Sequence, residues 1–392
     1  MSKREFKLPL LSQLTKEQQR ILRLPLDGQH IVVGAPGTGK SVIALHRLAK
    51  YNNGKKPLFL TFNHVLQHSA VSLDKTASNF DTAMSFIYKI QYELTNEFMP
   101  VCEPTITQKK VREISPDYEK LKMIFESHYD DYQSKNEIYD IVIDEGQDLP
   151  IGYYESLMHL GFENFFVVAD QNQQITLDNS SRRDLETVFD IETSKVHELT
   201  QNHRNTGPIA KLAQHFYTDR ASPLPQLPNK PSIDTPTLIN YTSVQKCVEN
   251  ILREADNGPG KLIGVIVPSE VKREDYVKKL ASAELPNRRN GTPVVSTYSS
   301  NQKQGHVNIP FDQGGIVVLC DKSVKGIEFD TVYVILDGLQ VYNGDETAIK
   351  KRLYVMFSRA IDKLFIMQSD ALTNNITPLL PTDETILKRK VI

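Results

Sequence analysis

The stretch IVVGAPGTGKSVIALHRL, residues 31–48, constrains the fold more than any other part of the chain. Gly34, Ala35, Pro36, Gly37, Thr38, Gly39, Lys40 and Ser41 fit the pattern GxxxxGK[ST]. An apolar run, His30 to Gly34, precedes the pattern, and residues with helical spacing follow it. A strand that curls through glycines into a helix points several backbone N–H groups at one spot, at the positive end of the helix dipole. That spot suits phosphate oxygens. In such a loop Lys40 contacts the β- and γ-phosphates of a nucleoside triphosphate, and the Ser41 hydroxyl ligates Mg2+. The alternative, a glycine-rich turn with no ligand, does not account for the strand before it and the helix after it.

The same alternation continues along the chain. Apolar runs predict strands at His30 to Gly34, Pro57 to Phe62, Tyr139 to Asp144 and Asn164 to Ala169. A second set comprises Thr237 to Tyr241, Lys261 to Val267, Gly315 to Cys320, Thr331 to Leu336 and Leu364 to Met367. Continuous Val/Ile/Leu runs suit parallel strands covered on both faces. SVIALHRLAKY, GPIAKLAQHFY and TSVQKCVENILREA carry the three- and four-residue spacing of crossover helices. The fold class is therefore α/β, with mostly parallel sheets flanked by helices. At 392 residues two domains are expected, 1–198 and 199–392. Residues 222–236, with five prolines, read as an extended connector. Residues 105–137 are charged and helix-prone, and are read as a small insertion.

Composition bounds the rest. Cys102, Cys247 and Cys320 lie far apart without a CxxC pair, which excludes a disulfide framework or zinc cluster and fits a reducing compartment. No apolar run could span a bilayer, so a cytoplasmic protein without a membrane partner is expected. Net charge is -2, so any polynucleotide would be held by a local basic groove rather than by the whole surface.

YDIVIDEGQDL ends a buried strand in Asp144-Glu145. Ligands in parallel sheets sit at the carboxyl ends of strands. There Asp144 can hold Mg2+, and Glu145 can orient and deprotonate an attacking water.

At this point the chain resembles the superfamily 1 helicases of the UvrD/Rep type. DEGQD resembles their DExQD box, and LTKEQ, ending in Gln18, resembles the adenine-reading motif. LFLTFN resembles the box after the second strand, aligning Phe62 and Asn63, and NFDTAMSFIYKI, with Phe80, resembles the next. VVADQNQQI is similar to GDxxQSI, aligning Asp170 and Gln173. LTQNHRNT is similar to LxxNYRS, aligning Arg204. VKGIEFDTVYV is similar to KGLEFDxV, aligning Lys325, Gly326 and Glu328, and RLYVMFSRA is similar to RLxYVAxTRA, aligning Arg359.

The resemblance implies two tandem RecA-like domains of the P-loop NTPase class, with ATP and Mg2+ between them. It implies that Arg204 and Arg359 act as fingers on the γ-phosphate and that Gln173 couples that phosphate to the nucleic-acid face. Gly326 and Glu328 are implied at the nucleotide. Phe62, Asn63, Phe80 and Lys325 are implied contacts to single-stranded nucleic acid, DNA favoured over RNA. An aromatic at Phe62 could stack on a base or end a strand inside the core; both stay open.

The chain departs from the pattern at Thr176, where the family often has an aromatic, and at Cys320 and Lys322, where a Thr and a His are usual. It also has too few residues between Lys40 and Asp144, and between Arg204 and Lys325, for the family's large inserted subdomains. An ATP-driven motor or translocase follows, moving 3′ to 5′ by resemblance, or the motor subunit of a nuclease, repair or antiviral defence assembly. The alternative is a nucleotide-sensing ATPase subunit that gates a partner effector such as a nuclease. A small-molecule kinase would use the same loop but leaves the boxes from Asp170 to Arg359 without a purpose.

Overall fold

The computed structural model describes residues 8–50, 57–61, 79–103, 105–106, 112–113, 115–135, 139–170, 172, 179–220, 224–298, 309, 313–341, 344–371 and 375–392. Two compact units divide the chain. The first joins Pro9–Gly34 to Lys40–Leu199, and the second joins Leu8 and Ala35–Gly39 to Thr200–Ile392. The five loop residues thus group with the second unit.

In the first unit the strands are β1 (Gln29–Gly34), β2 (Pro57–Thr61), β3 (Phe80–Thr82), β4 (Thr105–Ile106), β5 (Arg112–Glu113), β6 (Asp140–Ile143), β7 (Phe165–Ala169) and β8 (His197–Leu199). The helices are α1 (Lys16–Leu22), α2 (Lys40–Leu48), α3 (Ala83–Thr95), α4 (Tyr118–Ser127), α5 (Tyr129–Lys135), α6 (Ile151–His159) and α7 (Arg182–Val188). Six strands form a sheet in the order β3-β2-β6-β7-β1-β8, parallel at every pairing. β4 and β5 pair antiparallel with each other. The central strands are buried along their length, as their unbroken apolar sequence requires.

The charged stretch 105–137 contributes α4 and α5, and Leu121, Phe125 and Tyr132 enter the core of the first unit. α4 lies against α6 closely enough that a Cβ on Gly152 would meet the Tyr118 Cβ at 2.4 Å. Leu121 and Phe125, four residues apart, and Tyr132, seven further on, thus bury one face of an otherwise polar segment.

His30 of β1 and His197 of β8 sit near each other, ring centroids 6.5 Å apart, close to the fully buried Arg47. The Arg47 guanidinium lies 4.8 Å over the Phe166 ring and donates to the Leu24 and Pro25 carbonyls. Burial first, then the Arg47 charge, lowers the His30 pKa; burial first, then Arg20, lowers that of His197. A folded-state pKa below the unfolded one favours the neutral ring, so the stabilisation is present above the unfolded value near 6.5 and lost as pH falls through the folded one. The thermal midpoint of the first unit is therefore expected to drop between pH 7.5 and 5. His30→Gln should flatten that slope in a pH series of melting curves; an unchanged slope would rule this site out as its source.

In the second unit the strands are β9 (Thr237–Tyr241), β10 (Leu262–Val267), β11 (Val295–Thr297), β12 (Gly315–Cys320), β13 (Phe329–Ile335), β14 (Ala360–Ser369) and β15 (Lys388–Val391). The helices are α8 (Gly207–Gln214), α9 (Val244–Asn257), α10 (Glu270–Ser282) and α11 (Glu346–Phe357). The sheet order is β11-β12-β10-β13-β14-β9-β15, again parallel throughout. Ser243 and Ser269 cap α9 and α10 by accepting from the N–H groups of Lys246 and Lys272. Gly264 is required in β10, since a Cβ there would lie 2.6 Å from the Phe329 ring. The described part of the proline-rich stretch, 224–236, runs irregularly between α8 and β9. Among the described residues no helix is long and apolar enough to cross a membrane.

Candidate functional site

β1, β7 and β6 lie side by side, so their carboxyl ends deliver Gly34, Asp170 and Asp144 to one rim of the first sheet. α2 opens at that rim with Lys40, which is buried with its Nζ 3.4 Å from Asp170 Oδ2. Asp144 accepts from the Glu145 N–H at 3.0 Å, with the Ser41 hydroxyl near its carboxylate. Glu145 sits in the left-handed region (φ 59), a conformation that costs a non-glycine residue energy and turns its side chain back toward the rim. Its Oε2 accepts from Gln147 Nε2 at 2.6 Å, and Gln147 Oε1 accepts from the Asp170 N–H at 2.9 Å. Asp170 Oδ1 in turn accepts from the Asn172 N–H at 3.1 Å. One hydrogen-bonded chain therefore runs from Lys40 through Asp170 and Gln147 to Glu145, with Asp144 and Ser41 beside it.

The glycine of DEGQD is dictated by space. A Cβ on Gly146 would lie 2.3 Å from Val167 Cγ1 and 2.8 Å from the Tyr154 hydroxyl, which donates to the Gly146 carbonyl at 2.6 Å. That fit seats the turn that presents Glu145.

Burial first, and the Glu145 charge second, push the Asp144 pKa up to about 6, while the Ser41 hydroxyl and Lys40 pull the other way. Two adjacent carboxylates, both 4% exposed, repel each other, and a cation at Asp144 would offset that repulsion. The oxygen donors of Asp144 and Ser41 fit Mg2+, which takes one or two carboxylates and completes its shell with water and phosphate oxygens. Among the described residues no group of three or more His, Cys, Asp or Glu is placed to hold a metal without such help.

In the second unit the loop Ala35–Gly39 is shaped by Gly37 (φ 77) and Gly39 (φ 89), and Thr38 Oγ1 donates to the Ala35 carbonyl at 2.8 Å. The Gly37 carbonyl accepts from the His203 N–H at 2.8 Å. A Cβ on Gly37 would lie 2.5 Å from Asn202 Oδ1 and 2.8 Å from Arg204 Cβ. The segment QNHRN therefore lies directly on the loop, and only a glycine permits that approach.

Three separate stretches of the second unit are tied together there. Arg204 forms an ion pair with Glu328, while its Nε and Nη1 are buried without a hydrogen-bond partner among the described residues. Asn205 donates to the carbonyls of Ser358 and Ala360, at 3.1 and 2.5 Å. The Phe329 N–H donates to the Arg359 carbonyl at 3.0 Å, and Gly326 takes the positive φ (76) of the preceding turn. Arg359 is 1% exposed, with Nε donating to the Val355 carbonyl at 3.0 Å and Nη2 to the Ser358 hydroxyl at 3.1 Å.

The remaining sequence candidates are scattered. Gln18 closes the α1 capping box with Thr15, its Oε1 accepting from the Thr15 N–H at 3.0 Å. Lys325 is fully buried. Phe80 packs its ring on Phe59, centroids 5.2 Å apart. Phe62, Asn63, Gln173 and Thr176 lie outside the described residues. Gln147, Asn202 and Asn205 were not singled out from sequence. Gln147 could have been, because it lies inside the DEGQD box.

No protein-family profile matches the sequence, and no curated protein matches it. Solved structures do align with it. The C-terminal domain of a possible DNA helicase from Lactobacillus plantarum WCFS1 is 16% identical, covering 47% of this chain and 97% of that one, with a TM-score of 0.33. PRRSV helicase is 11% identical with a TM-score of 0.41; the alignment covers 94% of this chain, which spans 56% of the other.

Proposed function

We propose that the chain is an ATP-hydrolysing nucleic-acid motor of the UvrD/Rep-like kind, acting on single-stranded DNA. The observation that carries this is the continuous network from Lys40 to Glu145 at the carboxyl ends of β1, β6 and β7. It supplies a phosphate grip, a cation-holding carboxylate and a general base within one rim. In this reading Lys40 and the loop N–H groups hold the β- and γ-phosphates, and Glu145 takes the proton of the attacking water. Mg2+, held by Ser41 and Asp144, would neutralise phosphoryl charge. Arg204 and Arg359 stabilise the charge that spreads over the leaving γ-phosphoryl oxygens. The motor assignment rests on the order of boxes from LTKEQ to RLYVMFSRA and on the convergence of three of them around Arg204, Glu328 and Arg359.

ATPase rates measured with single-stranded, duplex and tailed DNA and RNA test the proposal. Single-stranded DNA is expected to raise kcat several-fold, and the stimulation should weaken steeply with salt as counterion release is lost. An active ATPase indifferent to every polynucleotide at low salt would overturn the motor reading. Slow turnover with tight nucleotide binding and a co-eluting protein on gel filtration would favour a subunit that gates an effector.

A further inference from the structure

We infer that Asn205 is a positioning residue for hydrolysis, joining the loop of Arg204 to the turn of Arg359 so that both guanidinium groups are carried by one element. The inference rests on the preceding proposal that these arginines serve ATP hydrolysis. Asn205 is 1% exposed, and its Nδ2 reaches the carbonyls on either side of Arg359, those of Ser358 and Ala360. Its Oδ1 accepts from Asn202 Nδ2 at 2.8 Å. Asn202 Oδ1 accepts in return from the N–H groups of Arg204, at 2.9 Å, and Asn205, at 3.2 Å. The Thr206 N–H continues the tie to the Ile361 carbonyl at 3.2 Å.

The chemistry is particular to a primary amide of this length. Ser358 caps the carboxyl end of α11 and Ala360 begins β14, so both carbonyls lie at the ends of regular elements. Asn205 offers two donors and one acceptor, and all are used. Aspartate has the same shape but would set a carboxylate against two carbonyl oxygens. Serine, which the pattern LxxNYRS carries at this place, is too short to reach both. The junction is thus a feature of this chain, formed between residues more than 150 positions apart in sequence.

The test is steady-state ATPase of the full chain carrying Asn205→Ser, with single-stranded DNA saturating. A displaced finger costs rate rather than affinity, so kcat is expected to fall roughly 10- to 100-fold with KM for ATP within about twofold. On an Arg359→Ala background the same substitution should cost much less, because the group it positions is already gone. An unchanged kcat in a folded variant would overturn the inference, as would a full multiplicative loss on that background. Should Asn205→Ser fail to fold, Asn202→Ala breaks the same chain of bonds one link earlier and carries the same expected split and the same overturning results. A parent chain without ATPase removes the proposed function and this inference together; an active parent with an unaffected Asn205→Ser removes the inference alone.

Discussion

Replacing Glu145 by Gln is expected to stop ATP turnover, lowering kcat by about 10²–10⁴-fold while leaving nucleotide binding and the thermal midpoint close to those of the parent. The substitution keeps the length and shape of the side chain, and the new amide oxygen can still accept from Gln147 Nε2, the bond now made to Oε2. It removes the carboxylate charge that bears on Asp144 and, with it, the capacity to take a proton. The left-handed backbone of residue 145 and the tight seat of Gly146 are untouched, so folding should not confound the result. Lys40→Ala should also abolish turnover, but by a different route: it leaves Asp170 without its buried cation and weakens the hold on phosphate. Phosphate release in single turnover, paired with equilibrium binding of a fluorescent ATP analogue, separates the two. A Glu145→Gln chain that hydrolyses ATP at the parental rate would remove Glu145 from the role of base.

How far the sequence reveals this arrangement depends on where the relevant forces are local. β6, β7 and β10 are buried from end to end, so their side chains cannot alternate and the apolar runs mark them plainly. β3, β8 and β11 are three residues each and carry Asp81, His197, Glu198 or Ser296; their places come from pairing with a longer neighbouring strand. β15 reads Lys-Arg-Lys-Val and is exposed throughout, an edge strand whose charges suit it to an edge and hide it from any hydrophobic pattern. The site divides in the same way. Gly34 to Ser41 and Asp144-Glu145 are contiguous and follow buried strands, so their geometry is written locally. The Asn205 link to Ser358 and Ala360, and the contact of Gly37 with the QNHRN segment, exist only after distant stretches meet. The two described nucleic-acid candidates show the converse. Lys325 and Phe80 sit inside recognisable boxes, yet one side chain is fully buried and the other packs on Phe59.

Arg204→Ala is expected to lower kcat by roughly 10³-fold or more, within the range found for arginines that stabilise phosphoryl-transfer transition states. The argument starts from its hydrogen bonds. Arg204 carries five N–H donors in a fixed fork, and one edge of that fork is engaged by Glu328. Among the described residues Nε and Nη1 are buried without a partner, a costly state for donors of a cation unless an acceptor joins them during function. Phosphoryl oxygens are such acceptors, and a Cβ on Gly37, in the loop Ala35–Gly39, would lie 2.8 Å from the Arg204 Cβ. Arg359 starts from another position, with donors already committed to the Val355 carbonyl and the Ser358 hydroxyl of its own helix end. Arg204→Ala should therefore cost more than Arg359→Ala. Arg204→Lys should rescue little, because an ammonium keeps the charge but cannot bridge Glu328 and a phosphate with one rigid plane. Rapid-quench measurement of the chemical step, with ATP saturating, provides the comparison. If Arg204→Ala keeps more than about a tenth of the parental rate, the Glu328 pair is a structural tie and the transition-state charge is met elsewhere.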